Sequence, residues 1–206
     1  MQDNKEVILT AIIENNLSFE YASERLKMDK EIILTALNGR AFYVGRCTSN
    51  GDSLSPLAYV PDSLKTNREI IITALKNNPN AISYVPKEFL NDKEILITAL
   101  KSSTEQKEAE EVLTFIPDKL KDDKEFIVEI IKGNYDTGYW GGLGDGCEVP
   151  PWPGYIILSV ASTRIKEDKN FIMAAVQIAG EALEFASPKL QADKEVVMKA
   201  VATKVY

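Results

Sequence analysis

Aliphatic residues recur along this chain in groups of three, each behind a short polar signature. The signature is Asp or Asn, then Lys or Arg, then Glu, and an Ala follows the aliphatic group after one variable residue, as in residues 29–36. Apolar residues then cover most of a helix circumference, which predicts a helix buried between neighbours. No segment alternates between apolar and polar residues over a useful length, so no strand is predicted. Close copies begin at Asn4, Asp29, Asn67, Asp92 and Asp193, and looser copies at Asp123 and Asp168.

A second phrase alternates with the first. It places an aromatic or aliphatic residue and then Ala, Val or Ile before Ser or Pro, and an apolar anchor such as Leu64 follows within a few residues. The phrase predicts a second, short helix of about two turns. In three units this helix ends at a proline, which cannot continue a helix without losing a hydrogen bond. The copies lie at residues 19–23, 58–61, 83–86, 114–117, 159–162 and 184–188.

The two phrases repeat together at a fixed period. Counted at the Glu of the first phrase or its equivalent, three of the six intervals are 25 residues and the others are 38, 31 and 45 residues. The unit is therefore 25 residues long and carries three insertions, at about residues 40–56, 102–110 and 134–154. A two-helix unit this short cannot bury its own apolar face, so units must stack. We predict an all-α solenoid of about six helical-hairpin repeats plus a final capping helix, forming a single repeat domain over residues 1–206.

Helix capping accounts for the polar signature. In four units a polar residue stands three positions before the Glu, which is the capping-box pattern. In the other units the Asp of the signature is itself a good N-cap. We therefore interpret the recurring Asp-Lys-Glu as caps rather than as a charged binding ladder. The capping-box residues are Asp3, Thr66, Asn91 and Asp122, and the direct N-caps are Asp29, Asp168 and Asp193.

The combination of the two phrases resembles an uncharacterised family of tandem helical repeats, found in bacterial and protist multi-repeat proteins. The resemblance rests on D-K-E-[aliphatic]-[aliphatic]-x-x-A followed by [aromatic]-[Ala/Val]-[Ser/Pro]-x-x-[Leu], and it extends from about Asp3 to the C-terminus outside the insertions. It implies the repeat fold and no particular activity. The chain departs from the plain pattern by its three insertions and by Asn170, where Glu is usual.

Composition narrows the function classes. The chain has 206 residues, a formal net charge of −7 and no histidine. Its acidity argues against a nucleic-acid groove or an anionic membrane surface, and the absence of histidine removes histidine acid–base chemistry and histidine metal ligands. The N-terminus carries no signal-peptide pattern and no apolar stretch is long enough to span a membrane. We expect a soluble, cytoplasmic chain without a cofactor or metal and without membrane insertion, and secretion or translocation stays open.

The insertions differ from the repeats in composition. Ten of the 11 glycines lie in or beside the first and last insertions, together with both tryptophans and both cysteines. All three insertions fall between the first and second helix of a unit, so they emerge on one edge of a solenoid. Loops on one face of a repeat array commonly carry binding residues. The middle insertion is made of Ser, Thr, Glu and Lys and predicts a longer helix end or a solvated loop.

The last insertion is aromatic and acidic. Residues 134–154 contain no Lys or Arg to balance their carboxylates. Their tryptophans and tyrosines are residue types favoured at binding hot spots. One reading is a recognition loop for a peptide, a basic partner or a sugar. The other is a loop that folds back and covers a solenoid edge. The candidate residues are the anchors Tyr135, Tyr139, Trp140 and Trp152 and the acidic residues Asp136, Asp145 and Glu148.

The first insertion adds the candidates Arg40, Phe42 and Tyr43. It also holds Cys47, and a disulfide with Cys147 of the last insertion requires both loops to reach toward each other. A cysteine nucleophile here would lack a histidine base, so catalysis by either thiol is not expected.

These residues favour a non-catalytic scaffold that binds a protein or peptide partner through the insertion loops, with no catalytic residue assigned. Two alternatives remain. One is a carbohydrate- or calcium-dependent ligand-binding protein, or a carbohydrate-active one, that uses the 134–154 loop. The other is a purely structural segment of a longer repeat array, which an exposed apolar terminal face would favour.

Overall fold

The computed structural model describes residues 3–39, 55–103, 105–135 and 154–203, with side chains of 133–135 left aside. Within these residues every regular element is helical. The α-helices are α1 Lys5–Glu14, α2 Glu24–Lys27, α3 Lys30–Asn38, α4 Asp62–Lys65, α5 Arg68–Asn77, α6 Lys93–Ser102, α7 Gln106–Leu113, α8 Asp118–Lys121, α9 Lys124–Tyr135, α10 Ile157–Val160, α11 Thr163–Glu167, α12 Lys169–Ile178, α13 Pro188–Gln191 and α14 Lys194–Thr203. The 3-10 helices are Asn16–Tyr21, Pro56–Tyr59, Pro79–Tyr84, Lys87–Asn91, Gly154–Ile156 and Gly180–Phe185.

The second helix of a repeat differs from the predicted two-turn helix. In the first repeat a 3-10 helix, Asn16–Tyr21, is followed by the one-turn helix α2. The two segments are separated by Ala22 and Ser23, both with extended backbone, and the Ser23 hydroxyl accepts a hydrogen bond from the Leu26 N–H. In other repeats a proline such as Pro61 holds the same extended conformation. A Ser or Pro at this point ends one helical turn and starts the next.

The caps of the long helices follow the polar signature more uniformly than predicted. The first residue of the signature caps the long helix that follows it. In α1, for example, the Asn4 side chain accepts hydrogen bonds from the backbone N–H groups of Glu6 and Val7. The predicted capping boxes are wrong. Asp3 instead accepts from Ser23 and Arg25, and Asp122 from Ser162 and Arg164. The capping residues are Asn4, Asp29, Asn67, Asp92, Asp123, Asp168 and Asp193.

Two positions of each long helix define the contact between repeats. We call the residue directly after the Glu of the polar signature (Asn170 in α12) the leading position. The residue five places after the leading position is the trailing position. In α5 these are Ile70 and Leu75, both completely buried. Half of the largest fully buried side chains hold these two positions: Phe126, Ile12, Ile32, Ile70, Leu75 and Ile95.

The chain divides into two compact units, which we call unit 1, Met1–Ser102, and unit 2, Ser103–Tyr206. In unit 1 the long helices pack in chain order, α1 on α3, α3 on α5 and α5 on α6. In unit 2, α9 packs on α12 and α12 on α14. Each unit thus shows the stacking expected of the all-α solenoid class, since each long helix buries its neighbour's face. The single domain over residues 1–206 stays a prediction.

The middle insertion forms a helix of its own. Instead of a 3-10 segment, the fourth repeat has the eight-residue helix α7, whose start is closed by reciprocal bonds between Glu105 and Glu108. Ala109, Val112 and Leu113 of this helix are buried. The acidic, Ser- and Thr-containing stretch therefore begins an amphipathic helix rather than prolonging α6 or remaining a loop.

Candidate functional site

The residues chosen from the sequence fall outside the part of the chain that the structure describes. Tyr135 ends helix α9, and its side chain is among those left aside. The remaining candidates, with Cys47 and Cys147, lie in 40–54 and 136–153, so the recognition loop, the disulfide and the calcium alternative stay predictions. These candidates are Arg40, Phe42, Tyr43, Asp136, Tyr139, Trp140, Asp145, Glu148 and Trp152.

A different set of aromatic residues lies on unit 1. Tyr21, Tyr59 and Tyr84 are the last residues of the 3-10 helices of three consecutive repeats, and these 3-10 helices pack one on the next. Tyr21 is 63 % exposed, and the other two are half-buried. We call these three residues the tyrosine row. Equal placement in stacked repeats puts the three side chains on one side of unit 1.

Tyr59 occupies the middle of the tyrosine row. Burial raises the pKa of its phenol, and so do the charge of Glu20 and a hydrogen bond with that carboxylate. The phenols of Tyr84 and Tyr21 raise this pKa as well. Because the raised pKa keeps Tyr59 neutral, its O–H can donate to Glu20 throughout the physiological range. The row thus combines apolar rings, hydroxyl groups and one carboxylate.

Unit 2 replaces the tyrosine hydroxyls at the equivalent positions. There the chain has Phe115, Val160 and Phe185, all half-buried. Tyr155 packs against Phe185 with ring centroids 6.1 Å apart and an interplanar angle of 40°. Burial raises the pKa of the Tyr155 phenol, with smaller contributions from Glu181 and Glu184. Tyr155 and Phe185 therefore form a local packing pair, which has no counterpart described in the tyrosine row.

Unit 2 also carries a shallow acidic depression. It has a volume of about 430 Å³ and is lined by Gly180, Glu181, Leu183, Glu184 and Gln191. Gln191 donates from its side-chain amide to the backbone carbonyl of Glu184 at 2.7 Å, which ties α13 to the preceding 3-10 helix. The depression lies open to solvent, so it resembles a surface feature more than an enclosed ligand site.

Ion pairs run from one long helix to the next. The Lys or Arg after each capping residue reaches the carboxylates at the start of the following helix, and we call this arrangement the charge ladder. Lys5 reaches Asp29 and Glu31 at 2.7 Å each, and Lys169 reaches Asp193 and Glu195 at 2.8 Å each. Further steps join Lys30 to Glu69, Arg68 to Asp92 and Glu94, and Lys124 to Asp168.

The charge ladder perturbs the groups that form it. The hydrogen bond from Lys5 lowers the pKa of Asp29, and the bond from Lys124 lowers that of Asp168. At Asp92 burial is the largest single influence and raises the pKa, but the hydrogen bond and charge of Arg68 together with the bonds from the Glu94 and Ile95 N–H groups outweigh it, so the pKa falls. Since these carboxylates already hold a cation and cap a helix, the ladder fixes the register between repeats rather than offering free charge to a ligand.

The start of the first insertion is anchored by a buried amide. Asn16 is 5 % exposed, and its side-chain Nδ2 donates to the Gly39 carbonyl at 2.9 Å. A Cβ added to Gly39 would lie 2.9 Å from the Cβ of Asn16, so the close approach requires glycine. The first repeat therefore holds the point where the chain enters the 40–54 segment.

The described ranges hold neither a candidate metal site nor a candidate membrane-spanning helix. No group of three or more Cys, Asp and Glu residues there is placed to hold a metal ion. None of the helices in these ranges combines the length and the apolar character that crossing a membrane requires.

Sequence reasoning missed the tyrosine row, although a signal was present. Tyr21, Tyr59 and Tyr84 hold the same place in the second phrase, and unit 2 never has Tyr at that place. The phrase was interpreted only as a helix with an apolar anchor. Whether its aromatic residue points inward or outward depends on the 3-10 geometry, which the helical-hairpin prediction did not include.

Comparisons with known proteins agree with the repeat pattern and add no activity. Neither the curated proteins nor the solved structures contain a match to this chain. A family model described as a domain of unknown function, DUF4116, matches six times in tandem, over residues 4–65, 47–90, 67–105, 92–137, 155–191 and 168–206. These matches cover most of the sequence and confirm the resemblance to an uncharacterised repeat family. The chain belongs to the DUF4116 family of tandem helical repeats.

Proposed function

We propose that this chain is a non-catalytic scaffold that binds a protein or peptide partner along an edge of its repeats. The observation that carries the proposal is the tyrosine row, in which Tyr21, Tyr59 and Tyr84 lie at equivalent points of three stacked repeats. Tyrosine is enriched among the residues that dominate interface energetics, because it offers a large apolar face and a polar tip. A row at repeat spacing matches the extended binding surfaces of repeat proteins.

The chemistry of the row indicates what it binds. Tyr21 at 63 % exposure leaves most of a ring open to solvent, and Glu20 next to it provides negative charge. An extended segment with apolar side chains and a Lys or Arg fits this combination, since the cation can lie over a tyrosine ring or pair with the carboxylate. The candidate residues of the last insertion are also aromatic and acidic, so they suit the same kind of partner. The acidic net charge of the chain is in keeping with a basic partner.

A peptide-display selection against the full chain tests the proposal. Enriched peptides are synthesised, and their dissociation constants are measured by fluorescence anisotropy on the parent chain and on Tyr21→Ala/Tyr84→Ala. We expect the double variant to bind at least about tenfold more weakly, which corresponds to about 1.4 kcal/mol. Met28→Ala is the matched control, because Met28 is an exposed apolar residue of unit 1 outside the row.

A variant with residues 134–154 replaced by a short linker separates the two parts of the proposal. If the peptides need the insertion and not the row, recognition lies in the loop. If no peptide is enriched, or if neither change alters binding, the scaffold proposal is overturned.

Tryptophan fluorescence tests the availability of the last insertion directly, because Trp140 and Trp152 are the only tryptophans of the chain. Red-shifted emission that acrylamide quenches readily means that the loop is open to a partner. Blue-shifted, protected emission means that the loop covers an edge of the repeats. A spectrum that changes between calcium and EDTA supports the calcium-dependent alternative.

A further inference from the structure

The first and last long helices each leave one face without a neighbour among the described residues. In α1 the leading position is Val7, which is 45 % exposed, whereas its equivalents Ile32 and Ile70 are completely buried. In α14 the trailing position is Val201, which is 57 % exposed, whereas its equivalent Leu37 is buried. The opposite position of each helix is buried, Ile12 in α1 and Val196 in α14, so the first helix presents an open leading position and the last helix an open trailing position.

The charges at the two ends are complementary as well. Every ladder step described above joins a cation on one helix to carboxylates on the next. Within the described ranges Lys194, the ladder cation of α14, has no acidic partner, and Glu6, the ladder carboxylate of α1, has no basic partner. The apolar residue Met198, 63 % exposed, lies one turn from Lys194 on the same helix.

One junction inside unit 1 provides a template for joining the two ends. The cap of α5 is Asn67, so Lys30 there pairs only with Glu69, at 2.6 Å. The cap of α1 is likewise an asparagine, Asn4, followed two residues later by Glu6. A lysine approaching α1 would therefore meet the same cap amide and the same carboxylate that Lys30 meets at α5.

We propose that a second copy of this chain docks head to tail, with α14 of one molecule packing on α1 of the next as consecutive long helices pack within a unit. Val201 and Met198 then cover Val7, and Lys194 pairs with Glu6. Charge favours this orientation over symmetric pairings in which the two helices run parallel. Joining α14 to α14 brings Lys194 against its own copy, and joining α1 to α1 brings Glu6 and Glu14 against theirs, which is unfavourable.

The contact has two consequences for assembly. It joins different surfaces of the two molecules, so each added copy presents a new free end and the oligomer is not limited to two. It is also small, because a single helix pair covers less than the roughly 1,600 Å² of a standard stable interface. Association is therefore expected to be weak and to increase steadily with concentration.

Sedimentation velocity from micromolar to millimolar concentration tests the proposal on the full chain. We expect the weight-average mass to pass that of a dimer at the highest concentrations. Val201→Glu, which places a charge at the centre of the contact on an exposed residue, should leave the chain monomeric. A chain that stays monomeric throughout, or that stops at a closed dimer, overturns the proposal.

Charge exchange makes the test specific. Lys194→Glu and Glu6→Lys should each abolish association, whereas their double variant should recover it, because the ion pair is restored with its polarity reversed. Mixing the two single variants should also recover it. Lys107→Glu and Glu88→Lys are the controls, since they make the same charge changes on exposed residues of other repeats. If the double variant and the mixture both remain monomeric while circular dichroism shows intact helix, the head-to-tail pairing is wrong.

Discussion

The interior contacts between repeats and the two end helices are built from the same residue types, and they differ in what covers them. Ile70 inside unit 1 is completely buried, whereas Val7 in the same position of the first helix is 45 % exposed. Arg68 holds Asp92 and Glu94, whereas Lys194 holds no carboxylate in the described ranges. The comparison teaches that the repeat motif carries stability only where a neighbouring repeat completes it, which is the physical basis of nearest-neighbour coupling in repeat proteins.

The largest expected difference between the two regions concerns the leading position. Ile70→Ala should lower the free energy of unfolding by about 2–5 kcal/mol, because it opens a cavity in a fully packed contact. Val7→Ala should change it by less than about 0.5 kcal/mol, because the side chain is already largely hydrated. Urea denaturation followed by circular dichroism in dilute solution measures both. Equal effects would contradict the contrast between interior and end.

A second contrast separates capping from charge at an interior helix. Asp168 caps α12 through the Phe171 N–H and accepts the ion pair from Lys124. Asp168→Ala removes both and should cost about 1–2 kcal/mol, whereas Asp168→Asn keeps the cap, as Asn67 does, and should cost clearly less. The same urea titration compares them. If the two variants are equally unstable, the charge rather than the cap dominates at this helix.

Acid should destabilise the interior contacts. The ladder lowers the pKa of Asp29, Asp92, Asp168 and Asp193 in the folded chain. A folded pKa below the unfolded value of about 3.9 means that the unfolded chain binds more protons as the pH falls, so this stability is complete above the unfolded pKa and is lost as the pH falls through the folded pKa.

The measurement for the acid effect is the urea midpoint as a function of pH. A variant with all four aspartates changed to Asn keeps the caps and should show a flatter decline below about pH 4 than the parent chain. A decline as steep as that of the parent would show that other carboxylates govern acid unfolding.

The smallest expected difference concerns the ladder cations. Arg68→Gln should lower the free energy of unfolding only slightly, since the pairs of Arg68 are partly exposed and screened. Lys194→Gln should leave it unchanged in dilute solution, because Lys194 has no partner in the described ranges to lose. Repeating both titrations in high salt should shrink the Arg68 effect and not alter the Lys194 result. An Arg68 effect that is insensitive to salt would point to packing of its side chain instead.

Much of the fold could be predicted from the pattern of residues. The signature beginning at Asp29 or Asp92 specifies where a long helix starts, and the three aliphatic residues after it specify a helix buried between neighbours, as Ile32 and Ile95 show. The detailed form of the second helix could not be predicted, because a 3-10 segment and a short α-helix have nearly the same apolar pattern over so few residues. For the same reason α7 was not recognised as a separate helix.

Less of the candidate site could be predicted. The tyrosine row depends on which side of a 3-10 helix faces solvent, and the residues chosen in 134–154 stand out by composition alone. Composition identifies an unusual segment, but a binding surface is defined by residues brought together from different repeats, and their exposure depends on how the repeats stack.

The sequence by itself determined the repeat period, the all-α class, the membership of an uncharacterised repeat family and the helix caps, because these depend on residues within a few positions of one another. Only the tertiary structure decided that the Lys of the signature belongs to the next repeat. The Lys5–Asp29 and Lys169–Asp193 pairs each join residues 24 positions apart. The same stacking leaves Tyr21 exposed in unit 1 and leaves Val7 and Val201 without neighbours in the described ranges. Such partners are set by stacking geometry, which local patterns do not encode.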